Sequence, residues 1–100
     1  MREIILSSDG TCYMYLVPDE VAENLEEYCI EFCDVWLRKS SDAEKYRIGR
    51  GVCYSVRDFI DYLNKNIFPH RKSFLIKELG AINRGKKLPP KYRDYPYFSF

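Results

Sequence analysis

Residues 18–39, PDEVAENLEEYCIEFCDVWLRK, are the stretch around which the rest of this 100-residue chain is read. Val21, Ala22, Leu25, Tyr28, Cys29, Phe32, Cys33 and Trp36 recur three or four residues apart, which places them on one stripe of an α-helix. Pro18 suits a first turn, because its missing N–H has no partner to lose there. Asp19, Glu20 and Glu23 follow at the positive end of the helix dipole, and Arg38 and Lys39 sit at the negative end. The spacing therefore predicts one long amphipathic helix whose apolar stripe is core.

Ahead of it, residues 3–7 and 11–17 are β-rich runs separated by Ser8-Asp9-Gly10, and Asp-Gly is a hairpin signal because both residues tolerate positive φ. Cys12, Met14 and Leu16 alternate with Tyr13, Tyr15 and Val17, so both faces of the second run are apolar. That strand is either central in its sheet or presents a tyrosine face for contact. Tyr46-Arg47-Ile48 and Val52-Cys53-Tyr54 flank a Gly49-Arg50-Gly51 turn and predict a second hairpin. Gly-Arg-Gly lacks the further glycines, or the Gly-Lys-Ser/Thr ending, of a phosphate loop. Ser55 and Asp58 resemble a capping box opening a second helix, which should stop at Phe68 before Pro69. A third helix is expected over 69–79, with Gly80 as its C-terminal cap. Residues 81–100 mix Pro, Lys, Arg and aromatic side chains and are expected to form an extended docked tail.

The expected fold is thus one α+β domain spanning 1–100 in the order ββαββαα: a small antiparallel sheet of two hairpins on a long helix, with two short helices after it. No basic segment leads into a long apolar run at the start, and no stretch reaches the ~18 apolar residues of a membrane span. A cytoplasmic location is expected, and there the four cysteines (Cys12, Cys29, Cys33, Cys53) should be thiols. The runs CYMYLVPDEVAENLEEYCIEFCDVW (12–36), GVCYSVRDFIDYLNKNIFP (51–69) and SFLIKELG (73–80) resemble a family of small uncharacterised bacterial proteins. That resemblance implies a stand-alone bacterial domain and carries no functional residue with it.

Chemistry is thinly signalled. Four thiolates could hold zinc, but no pair has the Cys-x2-Cys spacing of a structural site, and buried cysteine is ordinary core; neither a metal nor a cofactor is expected. His70, the single histidine, stands beside Arg71 and Lys72 with no nucleophile or orienting acid in view. No catalytic residue is assigned, and enzymatic activity is the least favoured class.

Charge is more informative. Residues 1–37 hold one Arg against nine acids, a net −8, whereas residues 38–100 hold fifteen Lys and Arg against six acids, a net +9. Folding either interleaves the halves or leaves a dipolar surface that steers a charged partner. Glu20, Glu23, Glu27, Glu31 and Asp34, with Glu26, form an acidic helix face that no base accompanies before Arg38. The favoured function is therefore a small interaction module, inhibitory or immunity-like, binding a protein partner through that face, with self-association as the other partner expectation. Tyr13, Tyr15, Tyr95 and Tyr97 are its candidate aromatic anchors. The alternative is a nucleic-acid-binding accessory protein that uses Lys86, Lys87, Lys91 and Arg93 on phosphates.

Overall fold

The computed structural model describes residues 1–49, 51–81, 92 and 94–100. Strands β1 (Arg2–Ser8) and β2 (Thr11–Val17) form the expected hairpin, paired from Arg2↔Val17 to Ser8↔Thr11. Its two-residue loop places Asp9 at φ +53° and Gly10 at φ +82°. An L side chain in this left-handed region costs about 1–2 kcal/mol. Gly10→Ala is accordingly expected to lower stability by about that amount, read as a fall in thermal midpoint; an unchanged midpoint would mean the turn is not strained there.

The predicted long helix is a run of short pieces: α1 (Asp19–Glu23), α2 (Leu25–Ile30), a π-helical segment (Glu31–Trp36) and α3 (Leu37–Lys39). The first interruption is Asn24, at φ −128° and ψ 37°, whose side-chain amide donates to the Glu20 carbonyl at 3.1 Å. A short amide that competes with the backbone for hydrogen bonds disfavours a helix interior on chemical grounds alone. The second is a wide turn, in which the Leu37 N–H donates five residues back to the Phe32 carbonyl. It shifts the phase of the buried stripe. Val21, Ala22, Leu25, Cys29 and Phe32 are buried as expected, but the next fully buried residue is Leu37, and Trp36 is turned half outward.

A 3-10 segment (Ser41–Tyr46) leads to β3 (Arg47–Ile48) and β4 (Gly51–Val52). These form the second hairpin, but as a separate two-stranded ladder rather than part of the main sheet. Arg47 ties it back, its Nε donating to the Leu37 carbonyl at 2.8 Å and its Nη2 to the Ser40 carbonyl. Helix α4 (Val56–Tyr62) starts where Asp58 Oδ2 accepts from the Ser55 N–H at 2.8 Å and the Ser55 hydroxyl at 3.1 Å. It continues as a second π-helical segment (Leu63–Ile67) and stops at Phe68, before Pro69.

The third helix expected over 69–79 does not form. Residues 74–81 are instead strand β5 (Phe74–Ala81), antiparallel to β2. The apolar triplet Phe74-Leu75-Ile76 suits a strand as well as a helix. What decides is the neighbour: β2, apolar on both faces, gains a second hydrogen-bonding partner. Asn64 pins the start of β5, accepting from the Ser73 N–H at 2.7 Å and donating to the Ser73 carbonyl at 3.0 Å. Gly80, expected as a helix cap, stands at φ +89° beside a register shift in this strand.

In the tail, β6 (Tyr97–Ser99) pairs parallel with β1, giving a mixed four-stranded sheet in the order β5-β2-β1-β6. One face of this sheet (Ile4, Leu6, Tyr15, Val17) packs with the helical stripe and with Val56, Phe59, Ile60 and Leu63. On the other face lie Ile5, Cys12, Met14 and Tyr92. The fold is α+β, with β2 central as one of the two sequence readings required. No helix among the described residues is long and apolar enough to cross a membrane.

Candidate interaction surface

Burying the stripe of residues 21–37 against the sheet forces the opposite side of the same segments into solvent. Glu23, Glu26, Glu27, Glu31 and Asp34 are all exposed there. Among the described residues none of these five makes an ion pair. The ion-paired acids of this region are Asp19, 3.0 Å from the Met1 amino group, and Glu20, which meets the Arg71 guanidinium through two nitrogens. That bidentate hydrogen bonding holds the Glu20 carboxyl below the usual carboxylate range. Arg71 in turn lies 4.8 Å over the ring of Phe68. Glu20 is thus tied up within the fold, and the acidic face begins at Glu23.

The face is not purely polar. Ile30, 44% exposed, lies about one helical turn from Glu26, Glu27 and Asp34, and Val35 is 36% exposed at the far end. Neither aliphatic side chain stood out in the sequence, although the periodicity of the buried stripe leaves Ile30 outside it. Beside them, Asn24, Glu27, Tyr28 and Glu31 line a shallow cavity of about 340 Å³. An exposed aliphatic residue ringed by carboxylates is suited to contact with a surface that offers both apolar area and positive charge.

The four candidate tyrosines are not brought onto this face. Tyr15 is 7% exposed and belongs to the core, so it is not free to anchor a partner; β2 is a central strand, and its tyrosine side packs under the helices. Tyr13, half-buried, joins Tyr15, Arg57 and Leu75 in lining a cleft of about 380 Å³. Tyr95 stacks edge-on against Tyr92 on the opposite sheet face, and hydrogen bonding to Glu3 raises its phenol above the ordinary tyrosine range. Tyr97 is 45% exposed, with its hydroxyl 2.9 Å from Ser7 Oγ. Lys86, Lys87, Lys91 and Arg93, the candidate phosphate contacts, lie outside the described residues.

Three of the four thiols, Cys12, Cys29 and Cys33, are placed for packing rather than reaction. Cys12 and Cys29 are buried on opposite faces of the sheet, Cys33 is half-buried and Cys53 is exposed. Burial pushes the Cys12, Cys29 and Cys33 thiols up, against which the Tyr54 hydroxyl, 3.3 Å from Cys33 Sγ, only partly compensates. A thiol raised this way is protonated at neutral pH and is a poor nucleophile. Among the described residues no three His, Cys, Asp or Glu side chains are gathered as a metal site would need. His70 is exposed in the loop before β5. No protein-family model, no curated protein and no solved structure matches this chain.

Proposed function

We propose that this protein is a small interaction module, inhibitory or immunity-like in kind, that docks the acidic helical face on a basic surface of a protein partner. The observation that carries this reading is the set of five exposed carboxylates over residues 23–34, without ion-pair partners among the described residues and grouped around Ile30. Like charges at helical spacing destabilise a helix by a few tenths of a kcal/mol per pair. A partner's cations remove that repulsion on binding, and the charge also speeds encounter.

The test is reversal of Glu23, Glu27 and Glu31 to lysine. All three are exposed, so the thermal midpoint should hold while a partner captured from lysate at low salt is lost. Juxtaposing like charges at an interface costs several kcal/mol, so affinity should fall by at least about 100-fold. A partner that binds the triple variant as tightly as the parent, or whose binding ignores salt, would remove the acidic face from consideration.

A further inference from the structure

At the end of the acidic segment, three rings from separate parts of the chain converge. Trp36 comes from the first π-helical segment, Tyr46 from the 3-10 segment and Tyr62 from α4. The Trp36 and Tyr62 centroids are 5.1 Å apart with the planes at 47°, and those of Trp36 and Tyr46 are 6.0 Å apart at 49°. Such tilts make a concave wall rather than a flat stack. Together with the carboxylates of Asp42 and Asp61 the rings line a cleft of about 320 Å³, at the small end of the range for ligand sites.

Aromatic faces beside carboxylates attract cations, because the ring quadrupole presents negative charge where the cation sits. The protein already shows the preference: the Lys45 ammonium lies 5.0 Å over the Tyr46 ring. We infer that this cleft is a guanidinium-binding site that receives an arginine side chain of the protein partner, with Lys45 as an internal occupant that gives way. Guanidinium fits better than ammonium because it is planar, stacks on rings and offers a fork of N–H donors to a carboxylate. The partner as source rests on the function proposed above: Glu31 of the acidic face acts electrostatically on Tyr62, which lines the cleft, so a basic surface drawn to the acids reaches it. Lys65 also lines the cleft, and with Lys45 it offsets the two aspartates, so stacking has to contribute beside charge.

Trp36 is the single tryptophan, which makes the intact protein its own reporter. N-acetyl-arginine amide, titrated at fixed ionic strength, should change the fluorescence saturably with a midpoint of about 1 mM, as expected for a ligand of this size. N-acetyl-glutamine amide should not. Asp61→Asn should weaken the arginine probe roughly ten-fold by removing a charge-assisted hydrogen bond. Lys45→Ala should tighten it, since the internal competitor is gone. An absent or unsaturable response, an equal response to the glutamine probe, or an unaltered midpoint in Asp61→Asn would overturn the site.

A second arm tests the source. A peptide with one arginine among lysines should bind more tightly than the amide, and lose that gain in the Glu23, Glu27 and Glu31 reversal. Equal affinity of amide and peptide would assign the cleft to a small guanidinium compound and overturn the partner's arginine. Because the first arm needs no partner, its failure leaves the acidic-face reading to its own test.

Discussion

Replacing Phe32 with alanine is expected to lower the unfolding free energy by about 3–5 kcal/mol. The side chain is fully buried, and its ring meets those of Trp36, Tyr54, Phe59, Tyr62 and Phe100 at centroid distances of 5.7, 5.4, 5.4, 5.2 and 6.4 Å. These partners come from the π-helical turn, the chain after the second hairpin, α4 and the end of the tail, so one truncation loosens four segments at once. Aromatic neighbours in these offset and edge-on geometries contribute beyond the area they bury. Domains retain only about 5–15 kcal/mol in total, so the variant should lose a large fraction of its stability. Urea unfolding followed by circular dichroism should show the midpoint fall with little change in slope. A loss under about 1 kcal/mol would mean the rings can close over the gap, and Phe32 would not be the hub its contacts suggest.

Raising the pH is expected to have the second large effect, with Cys29 as its main origin. The thiol lies in the core and is pushed up chiefly by burial, with Cys33 beside it adding to the shift. In the unfolded chain a cysteine loses its proton near pH 8.5. Above that pH the folded state holds a proton that the unfolded state has released, so stability falls as pH rises. The contribution is fully present below about pH 8 and is lost at up to about 1.4 kcal/mol per pH unit, or roughly 2 kcal/mol by pH 10. Cys12 and Cys33 act in the same direction, and the raised phenols of Tyr15, Tyr54 and Tyr62 join above pH 10. Thermal midpoints under reducing conditions should be level from pH 7 to 8 and drop by pH 10. The drop should be visibly smaller in Cys29→Ala, whatever that variant's starting stability. Equal drops in the two proteins would show that Cys29 is not the titrating group.

Features that depend on neighbours in the chain were legible from residue types alone. Asp9-Gly10 announces its turn, Ser55 and Asp58 announce the start of α4, and Pro69 announces its end. The acidic face follows from helical periodicity, and Glu23, Glu27, Glu31 and Asp34 are exposed where that period puts them. Features that depend on distant partners were not legible. Phe74-Leu75-Ile76 has no period that separates strand from helix, and β5 exists because β2 accepts it. The π-helical turn depends on how Phe32 and Leu37 fit the core, and it moves Trp36 outward from the stripe that regular spacing assigned to it. The aromatic cleft could not be foreseen either, since it requires residues 36, 46 and 62 to meet. Tyr15 shows the opposite ambiguity, because a tyrosine on an apolar strand reads equally as an anchor and as core.

The pairing of β6 with β1 sets the order in which the molecule can be completed. Ser7 and Ser99 are register partners, and the Phe100 N–H donates to the Ser7 carbonyl at 2.8 Å. β1 is synthesised well before β6, and its hairpin with β2 can close at once through local contacts. Its other edge stays open until β6 emerges, and Phe100 reaches the Phe32 cluster only then. Contacts between such distant positions are slow to form, because closing the long loop costs chain entropy before any contact offsets it. During synthesis the protein is therefore a hairpin and a set of helices with an uncovered strand edge, and that edge is closed only when β6 arrives.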